Sequence, residues 1–142
     1  TGLGKAPFIA DCRLALALHR AGPLLLNFGV EEMFFSGAYS YRLMPSGRLS
    51  QHAMGLGIDV HRVKIHGEVL DLQRDYAVGL EDPCGGPPLN RLACLMRAWG
   101  LFDWVLTPDF DQAHYNHFHL DIYCLYRRRY PTKPAPVEAE LE

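Results

Sequence analysis

The segment His114-Tyr115-Asn116-His117-Phe118-His119-Leu120-Asp121-Ile122-Tyr123-Cys124 decides how the rest of the chain is read. Strand alternation puts Phe118, Leu120, Ile122 and Cys124 on one face, which is apolar enough to be the core side. His117, His119 and Asp121 fall on the other. The segment therefore predicts a strand over His117 to Cys124 whose polar face carries two imidazoles two residues apart. That spacing gives half of a metal site, or one metal ligand beside a general base. The alternative is a solvated strand face bearing two incidental histidines.

Working outward, Trp104 to Leu106 reads as a short partner strand. Pro88 to Leu101 reads as a helix, with Leu89, Leu92, Ala93, Met96 and Trp99 on one side and Gly100 near its end. Further back, Leu56 to Ile65 and Glu68 to Leu72 alternate as strands joined by a His66-Gly67 turn. Glu32 to Leu43 reads as a bent or interrupted strand. Asp11 to Arg20 carries a helical apolar pattern that Gly22-Pro23 is expected to stop. This order predicts an α+β fold, a central antiparallel sheet flanked by helices. The domain is expected over residues 1–126, and residues 127–142, with three arginines in a row and scattered prolines and acids, are expected to form a disordered tail or linker.

The chain has 142 residues, enough for one core. A formal net charge of −2 argues against nucleic-acid binding, which needs a clustered basic excess. No apolar run spans the roughly 20 residues that a bilayer requires. The four cysteines (Cys12, Cys84, Cys94 and Cys124) include no CxxC pair, so a four-thiolate zinc knuckle is not expected. They permit two disulfides or buried thiols. The favoured bridge is Cys84–Cys94, which would tether the Asp82-to-Pro88 loop to the helix after it.

A second polar cluster lies in Ser50-Gln51-His52-Ala53-Met54-Gly55-Leu56-Gly57-Ile58-Asp59-Val60. Asp59 stands inside an otherwise apolar run, and a carboxylate buried there needs a partner. Gly55 and Gly57 let the backbone pass close to a ligand or adopt positive φ. Two histidines and one carboxylate with an open fourth position are the donor set of a catalytic zinc site.

Ser50-x-His52-x-x-Gly55-x-x-x-Asp59 followed by His117-x-His119 resembles the bipartite zinc signature of the superfamily that contains D-alanyl-D-alanine carboxypeptidases, murein endopeptidases, lysostaphin-type peptidases and the hedgehog zinc domain. Within it the chain is most similar to the bacterial extensin-like C-terminal domain family, through Tyr39-Ser40-Tyr41-Arg42, Ser50 to Asp59, and Thr107-Pro108-Asp109 to Asp121. The resemblance implies one zinc ion held by His52, Asp59 and His119. It also implies a zinc-bound water as nucleophile with His117 as general base, His114 sharing that work, and Arg42 neutralising the developing oxyanion. Two positions depart from the pattern. Asn116 stands where carboxypeptidase members have Glu, and Tyr41 where the extensin-like pattern has Cys.

The implied function is hydrolysis of amide bonds in peptidoglycan stem peptides or cross-links. The implied location is periplasmic or extracellular, with an export signal or anchor expected upstream of Thr1. The alternative is a zinc-bearing wall-binding or scaffold domain of hedgehog type. Ser50, His61, Tyr115 and Trp104 are candidate substrate contacts. For His61, plain polar surface is the competing reading. For Tyr115 and Trp104 it is packing. Asp121 is either an orienter of a ligand imidazole or a solvated strand-end carboxylate.

Overall fold

The computed structural model describes residues 8–123. The expected tail at 127–142 lies outside the described residues, as does Cys124. The fold is mixed α and β, with helices packed on an antiparallel sheet. Its central strand is β2 (Gly57–Ile65), flanked by β1 (Val30–Phe35) on one edge. β2 is long enough to pair with two strands in succession. Its first half pairs with β5 (Phe118–Asp121), which in turn pairs with β4 (Trp104–Leu106). Its second half pairs with β3 (Glu68–Asp71) through the expected His66-Gly67 turn, where both residues have positive φ.

A β-bulge sets the phase of β2. Phe34 pairs with Arg62 and Phe35 with Val60, so His61 is the extra residue. Before the bulge the even residues Ile58 and Val60 are buried in the core, and after it the odd residues Val63 and Ile65 are. The strand can thus give Asp59 to one face near its start and still bury its far end in the same core.

That core also takes the apolar stripes of two helices. α1 (Cys12–Phe28) buries Leu14, Ala17 and Ala21, with Leu18, Leu25 and Phe28 packed beside them. The expected stop at Gly22-Pro23 is overturned, because the helix runs through Pro23. Pro23 is exposed, so the carbonyl that it frees one turn back, at His19, faces water. The true stop is Gly29, whose φ of 98° makes the left-handed cap and whose N–H donates to Leu25 and Leu26. At the other end Asp11 caps the helix by accepting from the Arg13 N–H.

α3 (Pro88–Trp99) matches its expectation, with Leu89, Leu92, Ala93 and Met96 buried and Gly100 as cap. The Cys84–Cys94 bridge ties it to the preceding loop, as favoured, while Cys12 is a free, exposed thiol. A four-residue helix, α2 (Leu72–Asp75), takes Leu72 from the expected strand because the Asp71 side chain caps the Gln73 N–H and ends β3. β1 stops at Phe35, short of the expected Leu43; the chain turns away at Ser36, whose N–H donates to the Asp59 carbonyl. β5 is shorter than expected at both ends, and its polar face is not solvated: His119 and Asp121 are buried along with Phe118 and Leu120. No helix among the described residues is long and apolar enough to cross a membrane.

Candidate metal centre

Three segments converge on one point. Asp59 of β2 and His119 of β5 are directly opposed in the antiparallel register, which brings their side chains together on the face away from the core. His52 arrives from the turn before β2. That turn is fixed locally: the Ser50 hydroxyl accepts from the Ala53 N–H, Gly55 closes the turn at φ 66°, and Leu56 N–H returns to the Gln51 carbonyl. The Gln51 side-chain amide donates to the Ile122 carbonyl and ties the turn to the end of β5. Gly57 supplies room. A Cβ there would stand 3.0 Å from His119 Cε1 and 3.4 Å from His52 Nε2.

The result is a buried triad. His52 Nε2 lies 3.0 Å from Asp59 Oδ1 and 3.1 Å from His119 Nδ1, and His119 Nδ1 lies 2.8 Å from the same Asp59 oxygen. Hydrogen bonds alone satisfy this triangle poorly, because two ring nitrogens face one oxygen and also each other. A cation among them accepts a lone pair from all three. Tetrahedral zinc with ligands at about 2.0–2.1 Å has ligand atoms about 3.3 Å apart, close to the separations here. His52, Asp59 and His119 therefore fit a divalent metal and could hold one.

The neighbouring carboxylate supports the same assignment. His119 Nε2–H donates to Asp121 Oδ2 at 3.1 Å, the carboxylate–imidazole pairing that orients metal-ligating histidines and leaves Nδ1 for the ion. Asp121 is thus buried and directed at the His119 ring, not a solvated strand end. Burial works against a charge on His119, but Asp121 and Asp59 outweigh it and push its pKa up to about 9. Burial would also raise Asp59, yet the His119 and His52 rings hold it well below the usual carboxylate range. The pocket thus favours one positive charge where a metal would replace the proton on Nδ1.

His117 and His114 flank the triad without joining it. His117 Nε2 is 3.5 Å from Asp59 Oδ1, and its Nδ1 meets the Asn116 side-chain oxygen at 2.9 Å. Burial, followed by the surrounding histidines, pulls its pKa down to about 4, so it is neutral at pH 7. The His114 ring sits 5.2 Å from that of His117 and 5.8 Å from that of His119. Its Nδ1–H donates to Asp111 Oδ1 at 2.6 Å. Burial pushes Asp111 up, but the His114 ring and the N–H groups of Ala113 and His114 hold it below the usual range.

Arg42 reaches Asp59 Oδ2 at 3.4 Å and remains half exposed at the mouth. Its loop is held there by Ser40 N–H to the His52 carbonyl and Ser50 N–H to the Arg42 carbonyl. Of the other candidates, His61 is the bulge residue and packs its ring 5.3 Å from that of His117, while Tyr115 is exposed beside His114. Ser50 is buried in the turn, and Trp104 is half-buried in β4 opposite Asp121. The Thr107-Pro108-Asp109 motif serves the scaffold. Asp109 accepts from Tyr76 O–H and Gly79 N–H, and Thr107 accepts from Arg97. The close approach expected at Gly57 is observed, whereas the His61 bulge is visible only with the strands in register and the Asp111–His114 pair only with the turn formed.

No curated protein and no solved structure matches the chain. The family described as extensin-like protein C-terminus matches residues 7–130, a span that contains the triad, both flanking histidines and Arg42. The chain belongs to the extensin-like protein C-terminus family.

Proposed function

We propose that this protein is a zinc-dependent hydrolase of amide bonds in peptidoglycan stem peptides or cross-links, related to the carboxypeptidases and murein endopeptidases named above, and that it works in the periplasm or outside the cell. The observation that carries the reading is the convergence of His52, Asp59 and His119 within 3.1 Å of one another, beside two further histidines and an arginine that a purely structural site would not need. When bound, zinc supplies Lewis acidity that polarises a carbonyl and acidifies water.

The chain's own groups supply the rest. His114 and His117 are imidazoles placed to accept a proton from the attacking water and return it to the leaving nitrogen. Arg42, with its guanidinium at the mouth, is placed to stabilise negative charge growing on the carbonyl oxygen. Asp121 keeps the His119 ring in its binding orientation.

Incubating zinc-loaded protein with purified muropeptides, followed by mass spectrometry, tests the proposal. New amino and carboxyl termini within the stem peptide are expected. Muropeptides left intact by protein with stoichiometric zinc would reject hydrolysis and favour the scaffold alternative.

A further inference from the structure

Two imidazoles flank the triad, and their partners differ in kind. His117 Nδ1 faces the side-chain amide of Asn116. An amide presents either an oxygen or an N–H2 group, so it does not dictate which ring nitrogen carries hydrogen. His114 Nδ1 faces a carboxylate, Asp111 Oδ1, at 2.6 Å, and an ionised carboxylate only accepts. The proton is thereby fixed on Nδ1. Nε2 is left with its lone pair and has no protein partner among the described residues.

Asp111 is itself held in place. The same Oδ1 accepts from the N–H groups of Ala113 and His114 and so caps the turn Gln112–His114. One oxygen sets both the backbone that carries His114 and the orientation of its ring. Phe110 packs edge-on against that ring at 5.5 Å, and the His114 side chain is only 17% exposed, so few rotamers remain open to it.

We infer that Asp111 is a positioning residue that locks His114 with Nε2 open, making His114, and not His117, the proton acceptor of the hydrolysis. The inference rests on the hydrolytic reading above. As the water oxygen bonds to the carbonyl carbon, its proton passes to His114 Nε2. The same proton then goes to the amide nitrogen as the C–N bond breaks, leaving an amine and a carboxylic acid, whose remaining water-derived proton passes to solvent.

Nitrogen-15 NMR of the histidine rings, on zinc-loaded and metal-free protein, reads the tautomer without any turnover. His114 is expected protonated at Nδ1 and bare at Nε2 in the parent, and Asp111→Asn, which keeps an oxygen for the turn, is expected to lose that bias. A His114 protonated at Nε2 in the parent would overturn the inference, whether or not the protein hydrolyses anything. In the muropeptide assay, His114→Ala is expected to lose roughly 10²–10⁴ in kcat with KM and zinc content kept. Asp111→Asn is expected to lose at least about tenfold with the same pattern. Parent-like kcat in His114→Ala alongside an active parent would sink the inference and leave the hydrolytic reading standing.

Discussion

At the scale of single residues, the two histidines of the His-x-His pair are predicted to separate sharply. His119 Nδ1 is in the triad, so His119→Ala should lose the metal and the activity together. His117 lies outside it, so His117→Ala should keep bound zinc while turnover falls, because a buried neutral ring beside the reacting atoms is gone. Metal content and rate measured on the same preparations decide this, and equal zinc loss in both variants would contradict it. Gly57 gives a second prediction. Gly57→Ala places a methyl 3.0 Å from the His119 ring and should weaken zinc binding by about 10-fold or more, measured by competition with a chelating dye. Unchanged affinity would mean that the ring has room to move. The three residues that could hold a metal were legible in the sequence through the motif that resembles a known zinc signature. Asp111 was not, since its meaning depends on what the turn brings beside it. Gly57 was legible as a place of close approach, but that the His119 ring is what approaches follows only from the cross-strand register.

At the scale of elements, α1 is anchored at its start by Asp11, whose carboxylate takes the Arg13 backbone N–H and pairs with the Arg13 guanidinium. Asp11→Ala should cost about 1 kcal/mol by thermal or urea unfolding, the usual worth of an N-cap. The Arg13 contacts hold the Asp11 pKa down, from 3.8 to about 2. A depressed pKa stabilises the fold above the unfolded value and ceases to as pH falls through the folded one. The ion-pair part of the difference between parent and variant should therefore be complete above about pH 4 and gone below about pH 2. A difference that grew on acidification would contradict the assignment. Most elements were readable from period and punctuation, as the helix at Pro88 and the His66-Gly67 hairpin illustrate. The misreadings have local causes. Pro23 reads as a stop because sequence alone does not reveal that its side of the helix is exposed. The single alternation expected along β2 failed at His61, where a bulge reverses the phase. For the polar face of β5 the strand by itself leaves a metal-site face and a solvated face open, because the His52 turn that covers it lies far away in the chain.

At the scale of the whole molecule, a metal held by the triad would join parts that are distant in sequence: the turn before β2, the central strand and the last strand. Binding should therefore stabilise the folded chain as a unit. Free zinc at 100 times its dissociation constant contributes about 2.7 kcal/mol, which for a domain of this size raises Tm by roughly 10 °C, and chelation should reverse it. A Tm indifferent to both would mean that the triad binds nothing tightly. The most direct test is elemental analysis of protein purified without chelator, beside the Asp59→Ala and His119→Ala variants. One zinc per chain in the parent and none in either variant is the predicted result. A parent free of metal after zinc is supplied, or variants that keep the full complement, would contradict the site.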